Sequence, residues 1–137
     1  MLAFLDDSRR SDEVISTAQE VAASSDARLT LVAVAVVEDE RRGCCDLRSG
    51  LWNRMQRELA AEQLRSAQAH LAPSVLATLA VAEGPSVEES LIREARSGDY
   101  DLLVVPDERR SMLPWKAGLA ERLRTRVACE VRTPRER

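Results

Sequence analysis

Aromatic side chains are nearly missing from this sequence: Phe, Trp and Tyr together make up 3% of its 137 residues. A core without them must be built from Leu, Val, Ile and Ala, which suits helices packed on a buried sheet better than a sandwich or barrel. Histidine is scarcer still, His70 being the sole example. A hydrolytic triad needs a nucleophile oriented by a base, usually histidine. His70 lies near the end of a polar-faced helical stretch, just before Leu71, so solvent exposure is its expected state. No catalytic residue is assigned, and no enzyme activity is expected.

Cysteine is sparse and awkwardly spaced. Cys44, Cys45 and Cys129 form an odd set with no CxxC pattern, which reads as reduced thiols rather than a disulfide framework. The adjacent pair Cys44–Cys45 has a redox or thiophilic-metal alternative, with only His70 to help it. Metal binding needs several ligands at set spacing. None is present beyond Asp6 and Asp7, which as neighbours in an extended segment point in different directions and read as turn residues.

Long hydrophobic runs are also lacking. The longest, Leu29 to Val37, is nine residues, against the roughly 20 a membrane helix needs. No signal peptide is visible, because Met1 runs straight into a short apolar strand followed by Asp6 and Asp7. The expected location is the cytoplasm, with no membrane insertion. Charge is mixed, 20 basic against 23 acidic residues for a net of −3. Without a basic stripe interleaved with aromatics, nucleic acid is not an expected partner. The Arg-rich end, Arg132 to Arg137, reads as a solvated tail.

What is present is a regular alternation. Apolar residues at 45% and charged residues at 31% are ordinary for one compact domain, here spanning residues 1–137. Leu2 to Leu5 is a short strand. Ser11 is placed to cap a first helix with Asp12 and Glu13 in its opening turn, and Val14, Ile15, Ala18, Val21 and Ala22 recur at helical period. Leu29 to Val37, dominated by β-branched residues, reads as a strand covered on both faces.

Glu38 to Ser49 reads as a charged surface loop, followed by a long helix. Trp52, Met55, Leu59, Ala60, Leu64, Ala67 and Leu71 are assigned to its buried stripe, so Trp52 is expected in the core, with a ligand platform as the alternative; Pro73 stops the helix. Val75 to Val81 is the third strand, ending in the turn Gly84-Pro85. Ser86 and Glu89 match a capping box, the helix buries Val87, Leu91, Ile92 and Ala95, and Gly98 ends it. Leu102 to Val105 is the fourth strand, Lys116 to Arg124 a last helix, and Val127 to Val131 the final strand. Five strands alternating with four helices predict a parallel sheet between helical layers, with right-handed crossovers.

These landmarks, in this order, resemble the universal stress protein family over nearly the whole chain. A-F-L-D-D-S (Ala3 to Ser8) is similar to the family's first strand and turn, and E-V-I-S-T-A-Q-E-V-A to its first helix. D-A-R-L-T-L-V-A-V (Asp26 to Val34) resembles the second strand, and E-G-P-S-V-E-E-S-L-I-R-E-A (Glu83 to Ala95) the third-strand exit and helix cap. D-Y-D-L-L-V-V-P (Asp99 to Pro106) resembles the fourth strand, and A-E-R-L (Ala120 to Leu123) the last helix. The resemblance implies a three-layer α/β/α domain of the adenine nucleotide alpha hydrolase-like group. Its five-stranded parallel sheet would have order 3-2-1-4-5, with any ligand at the carboxyl ends of strands one and four.

ATP-binding members place an aspartate at the end of strand one, near base and sugar, and Asp6 matches it. They also carry a loop after strand four, G-x-x-G followed at a distance by G-(S/T). Pro106 and Arg109 stand here at the first two glycine positions, and the region of the third reads Lys116-Ala117-Gly118-Leu119. Glycines there let backbone N–H groups approach phosphates closely. Proline removes both an N–H and that freedom, and Asp107 and Glu108 add negative charge where a triphosphate would sit. Arg109, Arg110 and Lys116 offset that charge without restoring the cradle. No cofactor is therefore expected.

The resemblance also implies pairing through an apolar last strand, but this one reads C-E-V-R-T-P (Cys129 to Pro134). Charges and proline on an edge strand oppose edge-to-edge pairing, so a homodimer would need another interface.

The expectation is a non-enzymatic stress-response or regulatory domain, acting through an unidentified protein partner or a degenerate small-ligand crevice. One alternative is a nucleotide binder, for ATP or AMP, using Asp6 with Arg109, Arg110 and Lys116 as a non-standard phosphate loop. Others are a cytoplasmic regulatory domain of a membrane transporter and an enzyme of the wider fold group. Trp115, beside Pro114 at the expected crevice, reads as packing with a ligand-platform alternative.

Overall fold

The computed structural model describes residues 1–6, 10–39, 47–107 and 117–136, with the side chain of Leu47 excepted. Within them the chain runs β1 (Leu2–Leu5), α1 (Ser11–Ser25), β2 (Leu29–Val36), α2 (Leu47–Ala69), β3 (Ala77–Gly84), α3 (Val87–Ser97), β4 (Leu102–Val104), α4 (Leu119–Arg124) and β5 (Glu130–Arg132). The five strands form one sheet in the order β3-β2-β1-β4-β5, each neighbouring pair parallel. The expected architecture and strand order are those observed.

Period-two alternation divides the core between the sheet's two faces. Ala3, Leu5, Leu31, Ala33 and Ala35 face Val14, Ile15 and Ala18 of α1 and Ala60, Leu64 and Ala67 of α2. Leu2, Phe4 and Val32 face Leu91 and Ile92 of α3 and Leu119 and Leu123 of α4. Burying each such Leu or Ile is worth about 1.5–3 kcal/mol. Strands β1 and β4 are therefore apolar on every residue, which is why the short run Leu2–Leu5 reads as a strand at all.

Several local expectations are corrected. Ser11 is not the cap of α1: Arg10 takes that position, without a side-chain cap bond. Ser11 is the first helical residue, and its hydroxyl donates to the Asp6 carbonyl at 2.6 Å. Helix α2 begins at Leu47, inside the expected loop. Its inward side is set by polar groups. Asn53, only 1% exposed, accepts from the Glu38 N–H at 2.8 Å and donates to the Glu38 carbonyl at 2.9 Å. Ser49, also buried, donates to the Glu38 carboxylate at 3.1 Å. With Asn53 pinned inward, Trp52, Met55 and Leu59 turn outward, and the expected core position of Trp52 is wrong.

Strand β3 starts two residues later than expected and runs on to Gly84, because it pairs residue for residue with the eight residues of β2. As an edge strand it leaves Thr78, Val81 and Glu83 exposed, so a polar residue fits at position 83. Strand β5 also begins later, because the N–H groups of Arg126 and Val127 first close the end of α4 on the Leu123 carbonyl. The described part of α4 begins at Leu119, while Lys116, the expected start, lies outside the described residues.

The C-terminal segment is not a solvated tail. Thr133 and Pro134 are buried, and Glu136 accepts from the Thr133 N–H at 2.9 Å and from Arg124 at 2.5 Å. The Thr133 N–H and the Arg124 guanidinium hold the Glu136 carboxyl below the usual carboxylate range.

Two glycines earn their places by close packing. A Cβ on Gly84 would stand 2.6 Å from the Ser90 hydroxyl of α3, and one on Gly98 would collide with the Tyr100 ring. Gly98 does end α3 as expected, in an extended conformation. No helix among the described residues is long and apolar enough to cross a membrane.

Candidate functional site

After β1 the chain moves outward through β2 to β3, then returns to the other side of β1 for β4. Loops leaving β1 and β4 must therefore part in opposite directions, which opens a crevice at their carboxyl ends. A cavity of about 380 Å³ lies there, lined by Phe4 and Asp6 from β1 and its exit, Ser86, Val87 and Glu88 from the start of α3, and Leu119 and Arg122 from α4. Phe4 and Asp6 share this face because they are two residues apart on an extended segment.

Asp6 also borders a smaller cavity of about 200 Å³ toward α1 and α2, with Ser11, Asp12, Gln63 and His70 among its lining. Its backbone carbonyl accepts from the Ser11 hydroxyl and from the Gln63 side chain, and its Oδ1 lies 3.1 Å from Ser11 Oγ. Asp6 is thus held by both helices on one face of the sheet while bordering the crevice on the other. His70 is exposed as expected, its Nδ1 2.7 Å from the Ser66 carbonyl oxygen.

The α3 side of the crevice is rich in compensated charge. Ser86 caps α3 by accepting from the Glu89 N–H at 3.2 Å, one half of the expected box. The Glu89 carboxylate meets Arg126 at 2.7 Å instead of reaching back. That guanidinium holds the Glu89 carboxyl below the usual range, and the two glutamates hold Arg126 above its own. Glu88 takes Arg122 at 3.2 Å and Arg126 at 3.4 Å. Arg122 also donates to the Ala117 carbonyl. So Arg122, the cation among the described crevice residues, is already committed to a glutamate beside it, and the positive end of the α3 dipole already faces two carboxylates.

Beyond β4, Pro106 is buried and Asp107 follows at the rim. The Asp107 carbonyl accepts from Arg10. Among the described residues its Oδ2 has no hydrogen-bond partner, but it lies 3.5 Å from Arg135 Nε, an ion pair to a largely exposed guanidinium. The acidic charge expected in the phosphate region thus has a counter-ion from the C-terminal segment.

The model of the universal stress protein family matches residues 1–128 of this chain. The chain belongs to the universal stress protein family. Among solved structures, it is similar to a protein of the universal stress protein family from Burkholderia pseudomallei, at 26% identity and a TM-score of 0.70, covering 96% of this chain and 93% of that one. A universal stress protein in complex with cAMP is similar in fold at 18% identity and TM-score 0.64, covering 96% and 93% of the two chains. A universal stress protein from Archaeoglobus fulgidus is similar in fold at 14% identity and TM-score 0.61, covering 96% and 95%. No curated protein matches the chain.

Of the four residues expected to hold a nucleotide in this family member, Asp6 stands in the crevice. Arg109, Arg110 and Lys116 lie outside the described residues, as do Glu108, Trp115, Asp7, Cys44 and Cys45. Sequence reasoning missed Phe4, Glu88 and Arg122 as crevice residues. Phe4 had a signal, its parity with Asp6 along β1. The pairing of Glu88 with Arg122 spans 34 positions and has no local signature.

Proposed function

We propose that this universal stress protein is a non-enzymatic regulatory domain that binds a compact ligand or a protein partner, without hydrolysing ATP. The observation that carries this reading is the charge balance of the crevice. Among the described residues its lining offers two carboxylates, Asp6 and Glu88, and one guanidinium, Arg122, which Glu88 already holds at 3.2 Å. A triphosphate entering there would have to break that pair and approach two anions. At about 380 Å³, the space sits at the low end of the roughly 300–1,000 Å³ of small-molecule pockets, which favours a compact ligand. Pro106 at the first glycine position of the family's phosphate loop, with Arg109 at the second, supports the same reading. The position of His70 does too, since it lines the smaller cavity on the other side of the sheet.

One observation favours a second reading, a nucleotide carrying a single phosphate: the similar fold solved in complex with cAMP. Asp6 would then take the sugar or base edge, and Arg109, Arg110 and Lys116 would supply phosphate charge by side chain instead of backbone.

Thermal unfolding with millimolar ATP, ADP, AMP and cAMP, each with and without magnesium, separates the two. A ligand at about 100 times its dissociation constant stabilises the fold by roughly 2.7 kcal/mol. Partner binding predicts no shift with any of them and no turnover. A shift with AMP or cAMP that disappears in Asp6→Ala establishes the second reading. ATP consumption abolished by the same substitution would overturn the first.

A further inference from the structure

The outward side of α2 carries an apolar stripe that the fold leaves largely uncovered. Leu51, Trp52, Met55 and Leu59 are 65%, 45%, 46% and 58% exposed. At 3.6 residues per turn they span an arc of about 100°, opposite the buried side formed by Asn53, Ala60, Leu64 and Ala67. Single exposed leucines are ordinary. Four large apolar side chains within nine residues, rimmed by charge, mark an interaction surface.

The order of residues along this surface indicates its occupant. Counted outward from Met55, the positions three residues away are Trp52 and Glu58, an indole N–H donor and a carboxylate acceptor. Those four away are Leu51 and Leu59, apolar on both sides. Those seven away are Arg48 and Glu62, a cation and an anion. All six flanking positions are exposed. A two-fold axis reverses the helix direction, so each position before the centre meets the equivalent position after it on the other copy. Every facing pair is then apolar with apolar, donor with acceptor, or opposite in charge. No like charges meet at these positions.

We propose that two copies of this chain associate through α2, packed antiparallel about a two-fold axis at Met55. Arg48 and Glu62 lie about 21 Å apart along the helix at 1.5 Å per residue, so the two ion pairs close the ends of the apolar strip. Both groups already have partners in their own chain: Arg48 makes an interaction there, and Glu62 pairs with Arg65 at 2.7 Å; contacts of exposed groups such as these contribute little and exchange readily. A partner of unrelated sequence would not call for symmetry about one residue. The interface lies at the opposite edge of the sheet from β5, so it does not depend on the charged last strand, nor on the ligand reading above.

Sedimentation equilibrium of the full chain from low to high micromolar concentration should show a reversible dimer. Met55→Glu sets two carboxylates against each other on the axis and should weaken association by about tenfold or more, with circular dichroism and the thermal midpoint of the monomer unchanged. Arg48→Glu and Glu62→Arg should each weaken it, and the two together should restore it, a rescue that loss of fold would not produce. In a background with Cys44, Cys45 and Cys129 replaced by serine, Met55→Cys should oxidise to a single cross-linked dimer. A chain that stays monomeric throughout, or a dimer indifferent to Met55→Glu, overturns the proposal. A double charge swap that fails to restore association overturns the antiparallel register.

Discussion

Helices α2 and α3 use the same kinds of residue in opposite ways. Helix α3 buries Leu91 and Ile92 on one apolar face, is capped by Ser86, and points its charges to α4 or solvent. Helix α2 is twice as long, 23 residues against 11, yet turns Leu51, Trp52, Met55 and Leu59 outward and Asn53 and Ser49 inward. The difference lies in what each helix must satisfy. Helix α3 covers a sheet face whose backbone groups are already paired. The start of α2 lies beside the exit of β2, where the Glu38 N–H and carbonyl need partners, and Asn53 supplies both. A bidentate amide there fixes the helix's rotation more firmly than apolar contacts can, since rotation costs the amide both hydrogen bonds at once.

That comparison can be broken by substitution. The largest effect should come from Asn53→Ala, which removes both bonds to Glu38 and leaves space under α2. A loss of about 2–3 kcal/mol in chemical denaturation is expected, with increased hydrogen exchange at the β2 exit. If stability is unchanged, apolar packing and not Asn53 sets the rotation of α2. Gly84→Ala tests α3 in turn, because the added methyl meets the buried Ser90 hydroxyl. Destabilisation of about 1–2 kcal/mol follows from overpacking, and Gly84→Ala combined with Ser90→Ala should recover part of it.

The smallest effect concerns the tie between α3 and α4. Arg126 depresses the Glu89 carboxyl in the folded state, so its contribution is fully present above the ordinary carboxylate range. It is lost as pH falls through that range and below. Glu89→Gln should lower stability slightly at neutral pH and converge with the parent at low pH, which flattens the acid limb of the stability–pH curve. An acid limb unchanged by the substitution would show the pair to be energetically silent.

Legibility followed the range of the interactions. Strand β1, the turn into α3 and the end of that helix at Gly98 were read from neighbouring residues, because short apolar runs, caps and glycines act locally. The long-helix stripe failed because it merged two faces. Trp52, Met55 and Leu59 lie about 120° around the helix from Ala60, Leu64, Ala67 and Leu71 at 3.6 residues per turn. Burial of a polar residue was needed to tell them apart, and periodicity counts only apolar ones. The tail was misread for a similar reason: Glu136 is anchored by Arg124, a contact that composition cannot reveal.

The crevice divides in the same way. Asp6 was visible as the residue ending strand one. Glu88 and Arg122 became site residues only when α3 and α4 met.

The alternation of apolar strands with amphipathic helices, and from it a parallel sheet in the order β3-β2-β1-β4-β5, was settled by the chain's local pattern together with its family resemblance. Backbone hydrogen bonding and the handedness of crossovers leave few other ways to bury such segments. Which side of α2 faces water, how the crevice charges are compensated, and where the C-terminal segment lies were decided only by tertiary packing. Each depends on partners many residues apart, and their geometry exists only once the sheet has brought them together.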